Sequence, residues 1–302
     1  MRFKITLSNP NTKKIPINYQ HFLSSTIYDY LYTSNIDFST KLHSGLHIEG
    51  NKNFKFFTFS WLQIPDKKIV NSELIINSSQ FCLYVSSPWN EFIQNFANGL
   101  LEKGNLRIGK EIFPIIQIET STNYIVPEYD NTKNISLEFI CLSPIVITTK
   151  KEYKGKLVKY YYKPTDSYDE ITEKIKNNLL KKYKSFYNKE PYNKEFKITF
   201  DQNYIKSNNS QVLVHYIKNY SGQIFANNKE LFTGSPENFS SLHKTPNQSQ
   251  IDIKIPAIMC PFKAEGSPEL IKFGYECGFG EENSAGFGMV KLKQYKKNDV
   301  PV

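Results

Sequence analysis

The hydrophobic positions in the first part of the chain change period several times, and each change marks a predicted element. Residues 2–8 alternate, with Phe3, Ile5 and Leu7 on one face, which is typical of a half-buried strand. The predicted elements are, in order, a strand at 2–8, helices at about 18–34 and 37–43, strands at 54–60 and about 72–85, a helix that Ser87-Pro88 opens and Gly104 follows, and strands at 105–109 and 112–119. This order is that of a ferredoxin-like unit, an antiparallel sheet with two helices on one face.

A second unit of the same kind begins near Ile135. Its predicted elements are a strand at 136–148, a helix at 167–186, strands at 194–204, 210–217 and 251–262, a short helix at 268–276 and a final strand at 287–295. The stretch 219–250 is rich in Asn, Ser, Gly and Pro, and we predict an inserted loop there. The prediction is therefore an α+β protein of two tandem ferredoxin-like (βαββαβ) domains, residues 1–130 and 135–297.

The charge of the chain indicates the first partner to consider. The 302 residues carry a formal net charge of +9, which is typical of a surface that binds RNA or DNA. Twelve lysines and five acidic residues lie between Lys150 and Lys189. This stretch has two interpretations, a surface that follows a phosphate backbone or the solvated face of a lysine-rich helix.

The sequence lacks the signals of several other classes of protein. The four cysteines are far apart and form no Cys-x-x-Cys pair, and the five histidines show no metal-binding spacing. We therefore predict no metal site and no cofactor. No window of about twenty apolar residues occurs, and the N-terminus alternates like a strand instead of resembling a signal peptide. The expectation is a cytoplasmic protein with no membrane partner.

Five glycines are clustered near the end of the chain. Gly274, Gly278, Gly280, Gly286 and Gly288 lie within fifteen positions. Such clustering marks backbone at positive φ or backbone close to another molecule. A P-loop requires Gly-Lys-Ser/Thr at the start of a helix, and a dinucleotide fold requires Gly-x-Gly-x-x-Gly directly after a strand. This run follows a predicted helix and leads into a strand, so neither fingerprint applies.

The run resembles the C-terminal glycine-rich signature of the CRISPR repeat-processing endoribonucleases, the sixth CRISPR-associated protein family within the repeat-associated (RAMP) superfamily. In that signature a helix leads into Gly-Phe-Gly, a short polar loop and Gly-Phe-Gly-x-Val. The resemblance continues at Met1-Arg-Phe-Lys-Ile, at Ile27-Tyr28 and at Leu142-Ser-Pro144. It implies two ferredoxin-like domains, in agreement with the periodicity. It also implies RNA contacts by the two matching triplets, Gly278-Phe279-Gly280 and Gly286-Phe287-Gly288.

The resemblance further implies a chemistry. Members of this family cut a repeat RNA without metal, by attack of a ribose 2′-OH on the adjacent phosphate, and leave a 2′,3′-cyclic phosphate and a 5′-OH. The reaction needs a group that takes the 2′-OH proton, a group that protonates the leaving oxygen and a cation for the phosphorane. Many members use a Tyr in the first helix, a His fifteen residues later and a Lys before an aromatic strand. Tyr28, His43 and Lys55 occupy the matching positions.

Each of these three residues also has a structural interpretation. Tyr28 could pack beside the core, His43 could cap a helix, and Lys55 could be one ordinary lysine among many. His47 follows His43 by four residues and is an alternative for either proton-transfer role.

The predicted partner is CRISPR repeat RNA, with the guide-RNA effector complex as a further candidate. Two other functions stay open on the sequence. A non-catalytic subunit of the same superfamily would bind guide RNA with the same fold and glycine signature, and would need no histidine at position 43. A ferredoxin-like enzyme or regulator of another kind would have no affinity for the repeat.

Overall fold

A computed structural model of the chain describes residues 1–44, 47–49, 52–121, 131–207, 210–218 and 251–293. Within these ranges the side chains of residues 43, 44, 47–49, 52, 53, 121, 215–218 and 251–253 are not described. The predicted loop at 219–250 lies outside the described residues. No helix in the described ranges is long and apolar enough to cross a membrane.

The first half of the chain builds one five-stranded antiparallel sheet. Its elements are β1 (Arg2–Ser8), β2 (Lys13–Pro16), α1 (Gln20–Ser34), α2 (Ile36–Ser44), β3 (His47–Glu49), β4 (Lys52–Phe54), β5 (Thr58–Phe59), β6 (Lys67–Val70), β7 (Glu73–Ile76), β8 (Gln80–Ser86), α3 (Asn90–Lys103), β9 (Asn105–Ile108) and β10 (Glu111–Ser121). The order across the sheet is β5-β8-β1-β10-β9. With β9 set aside, the first and third strands are central, and this is the ferredoxin-like arrangement.

The hydrophobic pattern explains why this half adopts these elements. Phe3, Ile5 and Leu7 point to the same face of β1 and are all buried. The apolar stripes of α1 and α3 meet that face and form one core with it. The helix α3 ends where the sequence predicts, because Gly104 adopts a left-handed φ of 63° and its N–H donates to the carbonyl of Leu100.

The second half repeats the arrangement around a four-stranded antiparallel sheet. Its elements are β11 (Ile135–Cys141), β12 (Thr148–Tyr153), β13 (Lys156–Tyr161), α4 (Tyr168–Tyr187), β14 (Phe196–Phe200), α5 (Gln202–Ser207), β15 (Gln211–Lys218), β16 (Ile251–Ile258), β17 (Phe262–Gly266), α6 (Pro268–Cys277) and β18 (Val290–Leu292). The order β14-β17-β11-β18 again places the first and third strands of the unit at the centre. The two-ferredoxin-like fold predicted from the sequence is confirmed.

Some predicted elements differ from the structure. The strand predicted at 136–148 ends at Cys141, and the stretch predicted at 72–85 is two strands, β7 and β8, separated by three residues. The stretch predicted at 194–204 is a strand followed by α5. The lysine-rich region is only partly a helix, because its first part forms the hairpin β12–β13. That hairpin is exposed on both faces over most of its length, so it carries no hydrophobic alternation from which to predict it.

Two consecutive phenylalanines connect the two halves. Phe57 stacks on Phe92 in the first core, with ring centroids 4.8 Å apart. Phe56 enters the second core instead, where its ring lies 5.0 Å from that of Phe186. Phe56 has a φ of +49°, a conformation that costs a bulky residue about 1–3 kcal/mol. The hydroxyl of Ser87 donates to its carbonyl at 2.7 Å and helps hold this backbone in place.

The glycine-rich segment, defined as residues 274–290, lies against the first half. The hydroxyl of Thr58 on β5 donates to the carbonyl of Phe287 at 2.9 Å, and the hydroxyl of Ser24 on α1 donates to that of Ser284 at 2.9 Å. Gly286 sits against the ring of Phe59, where an added Cβ would come within 2.6 Å of a ring carbon. The segment therefore needs glycine because it packs this closely on β5.

Candidate active site

Lys55 precedes β5 by three residues in the chain, and in space its side chain reaches the last turn of α2. Its Nζ donates to the carbonyl of Leu42 at 2.5 Å. Leu42 belongs to the last turn of α2, whose carbonyls have no partner within the helix, and the ammonium satisfies one of them at the negative end of the helix dipole. Leu42 is also the residue before His43, so this contact places the cation beside the backbone of His43.

The burial of Lys55 changes its acid–base behaviour. The side chain is half-buried, and removal from water disfavours its charged form. This desolvation lowers the pKa of Lys55 from 10.5 to about 8. The amine therefore carries its charge at neutral pH and loses it as the pH rises through about 8. A pKa this close to neutral pH suits a group that takes part in proton transfer.

Tyr28 lies on α1, where it contacts Phe57 and the helix α2. Its ring packs edge-on against Phe57, with centroids 5.7 Å apart, and its side chain is only partly buried. The hydroxyl of Ser39 on α2 reaches the carbonyl of Tyr28 at 3.5 Å, so α1 and α2 meet at this residue. Tyr28 therefore flanks the core, as its position one residue beyond the stripe of α1 predicts.

The backbones of both histidines are close to Lys55. His43 belongs to the last turn of α2, as predicted, and His47 begins β3. In the hairpin β3–β4, His47 lies opposite Phe54, the neighbour of Lys55 in the chain. The side chains of His43 and His47 are outside the described part of the structure, so their proton-transfer roles stay predictions.

A cavity of about 330 Å³ opens beside Lys55 between the two halves. Its charged and polar lining residues are Lys55, Thr148, Lys159, Asn178, Lys182, Glu281, Glu282, Asn283 and Ser284. The hydroxyl of Thr148 donates to Glu281 at 2.5 Å, so the two sides of the cavity are joined at one edge. Among the described residues, no group of three or more His, Cys, Asp or Glu side chains is arranged to hold a metal ion.

Lys182 also lines this cavity, and it is not among the site residues predicted from the sequence. Its ammonium is buried and donates to the carbonyls of Gly278 and Gly280, at 3.1 and 2.8 Å, and to Oδ1 of Asn283 at 2.6 Å. The amide of Asn283 donates in turn to the carbonyls of Phe279 and Phe287. One lysine and one asparagine thus hold both glycine triplets together.

A sequence signal for Lys182 does exist. Ile171, Ile175 and Leu179 form the buried stripe of α4, and Lys182 follows at the next position of that stripe. A lysine is rarely buried unless its charge is paired or bonded. Its place in the stripe therefore indicates a buried acceptor for the ammonium.

The six residues predicted to bind RNA through the glycine-rich segment are all buried in this conformation. They are Gly278, Phe279, Gly280, Gly286, Phe287 and Gly288. The ring of Phe279 packs in the second core and that of Phe287 in a small cluster with Val146 and Val214. The structure gives these residues a packing role, and direct contact with RNA stays a prediction for them.

Family models match both halves of the chain. The model described as CRISPR associated protein Cas6, C-terminal, matches residues 126–292, and the model described as CRISPR-associated protein Cas6, N-terminal, matches residues 14–119. The C-terminal match contains every strand of the second sheet. The N-terminal match contains β5, β8, β9 and most of β10, and it begins after β1.

Individual proteins resemble the chain over nearly its whole length. The CRISPR-associated endoribonuclease Cas6 1 of Methanocaldococcus jannaschii is 34% identical and covers 96% of this chain and 92% of the relative. The CRISPR-associated endoribonuclease Cas6 of Pyrococcus furiosus is 29% identical and covers 98% and 91%. A solved structure of a CRISPR associated protein Cas6 shares 32% identity at a TM-score of 0.64, and covers 97% of this chain and 99% of that one.

We predict that Lys182→Met destabilises the protein by about 3 kcal/mol or more. Methionine has a similar length, but it leaves the two glycine carbonyls and Oδ1 of Asn283 without the ammonium, and each buried acceptor without a donor costs about 1–3 kcal/mol. Urea unfolding would measure the change in the free energy of unfolding. Lys181→Met is the matched control, because Lys181 is an exposed neighbour on α4 and its loss should change stability by no more than about 0.5 kcal/mol. Equal effects of the two substitutions would contradict the bonding role of Lys182.

Proposed function

Because the chain belongs to the Cas6 family of CRISPR-associated proteins, we propose that it is an endoribonuclease that cleaves CRISPR repeat RNA without a metal ion. The observation that supports this most directly is the contact between Lys55 and the carbonyl of Leu42. This contact joins Lys55, which lines the cleft between the halves, to the residue that precedes His43. The relatives described above are named as endoribonucleases, which favours cleavage over binding alone.

The proposed reaction is an in-line transesterification. The ribose 2′-oxygen loses its proton and forms a bond to the adjacent phosphorus, while the bond from phosphorus to the 5′-oxygen breaks and that oxygen gains a proton. His43 serves as general base or general acid, with His47 as the alternative for either role. Tyr28 positions the 2′-OH or assists proton transfer, and the ammonium of Lys55 stabilises the negative charge of the phosphorane. The products are a 2′,3′-cyclic phosphate and a 5′-OH.

The non-catalytic alternative keeps one supporting observation. Another relative, from Pyrococcus furiosus, is named a putative CRISPR-associated endoribonuclease-like protein Cas6 and is 26% identical over 238 residues. A non-catalytic subunit would bind guide RNA, alone or within an effector complex, and leave it uncut. Wild-type protein that binds repeat RNA and releases no product would favour this alternative.

The first test of the proposal concerns the nucleophile. Purified protein should cut a repeat RNA in the presence of EDTA, because no step in the proposed reaction uses a metal ion. A single 2′-deoxy substitution at the cleaved nucleotide should abolish the cut and leave binding intact, since it removes only the attacking oxygen. Gel analysis of end-labelled RNA would measure both. Cleavage of the deoxy substrate would rule out attack by the 2′-oxygen.

The second test separates the two histidines. His43→Ala should lower the single-turnover rate by roughly 10²–10⁴-fold, the usual contribution of one proton-transfer group. His47→Ala should lower it by a similar factor only if His47 is the second proton-transfer group. Tyr28→Phe removes the hydroxyl and keeps the ring on Phe57, so it tests the hydroxyl without disturbing the core. Full activity of His43→Ala would remove this residue from the mechanism.

The third test uses the pKa of Lys55. Burial lowers this pKa to about 8, so the free protein carries the ammonium below pH 8 and loses it as the pH rises through that value. The ratio kcat/KM should therefore fall above about pH 8, since this ratio reports the ionisation of the free enzyme. Lys55→Arg keeps its charge throughout and should extend the profile to higher pH. The same fall in both proteins would assign it to another group.

A further inference from the structure

The hairpin β12–β13 has two faces that differ in their surroundings. Its register places Thr148 opposite Tyr161, Lys150 opposite Lys159 and Glu152 opposite Leu157, and these six residues form one face. Thr148 and Lys159 of this face line the cavity beside Lys55, so we call it the inner face. The outer face consists of Thr149, Lys151, Tyr153, Lys156, Val158 and Tyr160.

On the outer face, Lys151 contacts two aromatic rings. The Nζ of Lys151 lies 4.0 Å from the ring centroid of Tyr160 and 5.4 Å from that of Tyr162. The hydroxyl of Tyr160 is in turn bonded to the carboxylate of Asp166, at 2.8 and 3.0 Å from its two oxygens. The charge of Lys151 therefore has a structural use within the hairpin.

The inner face has an arrangement that the fold alone does not explain. Lys150 and Lys159 stand directly opposite each other on neighbouring strands, and like charges in this position destabilise a hairpin. The Nζ of Lys159 lies 5.0 Å from the ring centroid of Tyr161, which orients it towards the cavity. Two carboxylates lie near this face. Glu152 is next to the turn and one cross-strand pair farther from the cavity, and Glu281 accepts from Thr148 at the cavity. An anion bridging the two ammonium groups would remove their repulsion.

We propose that the inner face of the hairpin is a phosphate-binding subsite for the stretch of repeat RNA that adjoins the cleaved bond. Lys150 and Lys159 each contact one backbone phosphate, and the outer face stays free of RNA. The subsite rests on the proposed function, because it needs an RNA whose reacting phosphate lies beside Lys55. It divides the lysine-rich region into a part that binds RNA and a part that stabilises the hairpin.

The test compares two variants that remove the same charge from the same hairpin. Lys150→Gln with Lys159→Gln removes both lysines of the inner face, and Lys154→Gln with Lys156→Gln removes two exposed lysines at and beside the turn. The second pair leaves the contact between Lys151 and Tyr160 intact. The probe is repeat RNA with a 2′-deoxy substitution at the cleaved nucleotide, and its dissociation constant is measured over a series of salt concentrations.

The dissociation constant of the inner-face variant should depend less steeply on salt concentration than that of the wild-type protein. Each phosphate contact to single-stranded nucleic acid contributes about 0.7 to the slope of log Kd against log salt, so the slope should fall by about 1.4. The turn variant should change the slope much less. An unchanged slope in the inner-face variant, or equal changes in both variants, would overturn the subsite. Wild-type protein that cuts repeat RNA in the same experiments would show that the proposed function survives that result, whereas wild-type protein without affinity for the repeat would overturn both.

Discussion

The backbone of Phe56 is the constraint on which the candidate site depends. Its left-handed φ sends two neighbouring rings into separate cores, and this anchors the chain at two points within two residues. A chain fixed in this way has little freedom at residue 55, so the direction of the Lys55 side chain follows from packing. The strand β5 follows immediately, and the glycine-rich segment is bonded to it through Thr58. The relation between the cation and the C-terminal half is therefore set by hydrophobic burial around one strained residue.

Lys182 and Lys55 both line the cleft, but their ammonium groups have different surroundings and therefore suit different roles. Lys182 is buried with three oxygen acceptors, which compensate its removal from water. Lys55 is half-buried, and the desolvation of its ammonium lowers its pKa to about 8. The ammonium of Lys182 is suited to hold a fold, because it bonds three acceptors at once. A partly desolvated ammonium is suited to interact with a negative charge that enters the cleft.

Periodicity predicts those elements that bury one face, and the structure confirms β1, α1, α3 and α4 on this basis. The hairpin β12–β13 has no buried face over most of its length, so its sequence resembles that of a solvated helix. The glycine triplets show a different limit. Glycine is required where another molecule comes close to the backbone, and it is equally required where the chain's own β5 does so. Sequence alone therefore cannot separate a ligand contact from internal packing at these positions. Tyr28 and Lys55 are predicted as site residues only through the family resemblance. The role of Lys182 depends on carbonyls almost one hundred residues away.

The position of the glycine-rich segment near the end of the described chain has a consequence for synthesis. The sheet of the first half is complete once Ser121 has been made, and domains generally fold as units while the chain emerges. Tyr28, His43 and Lys55 are all present at that stage. The ring of Phe56 has no core to enter until α4 and α6 follow, and β18 can pair with β11 only after residues 290–292 exist. A nascent chain therefore carries the predicted catalytic residues before the cleft between the two halves can form.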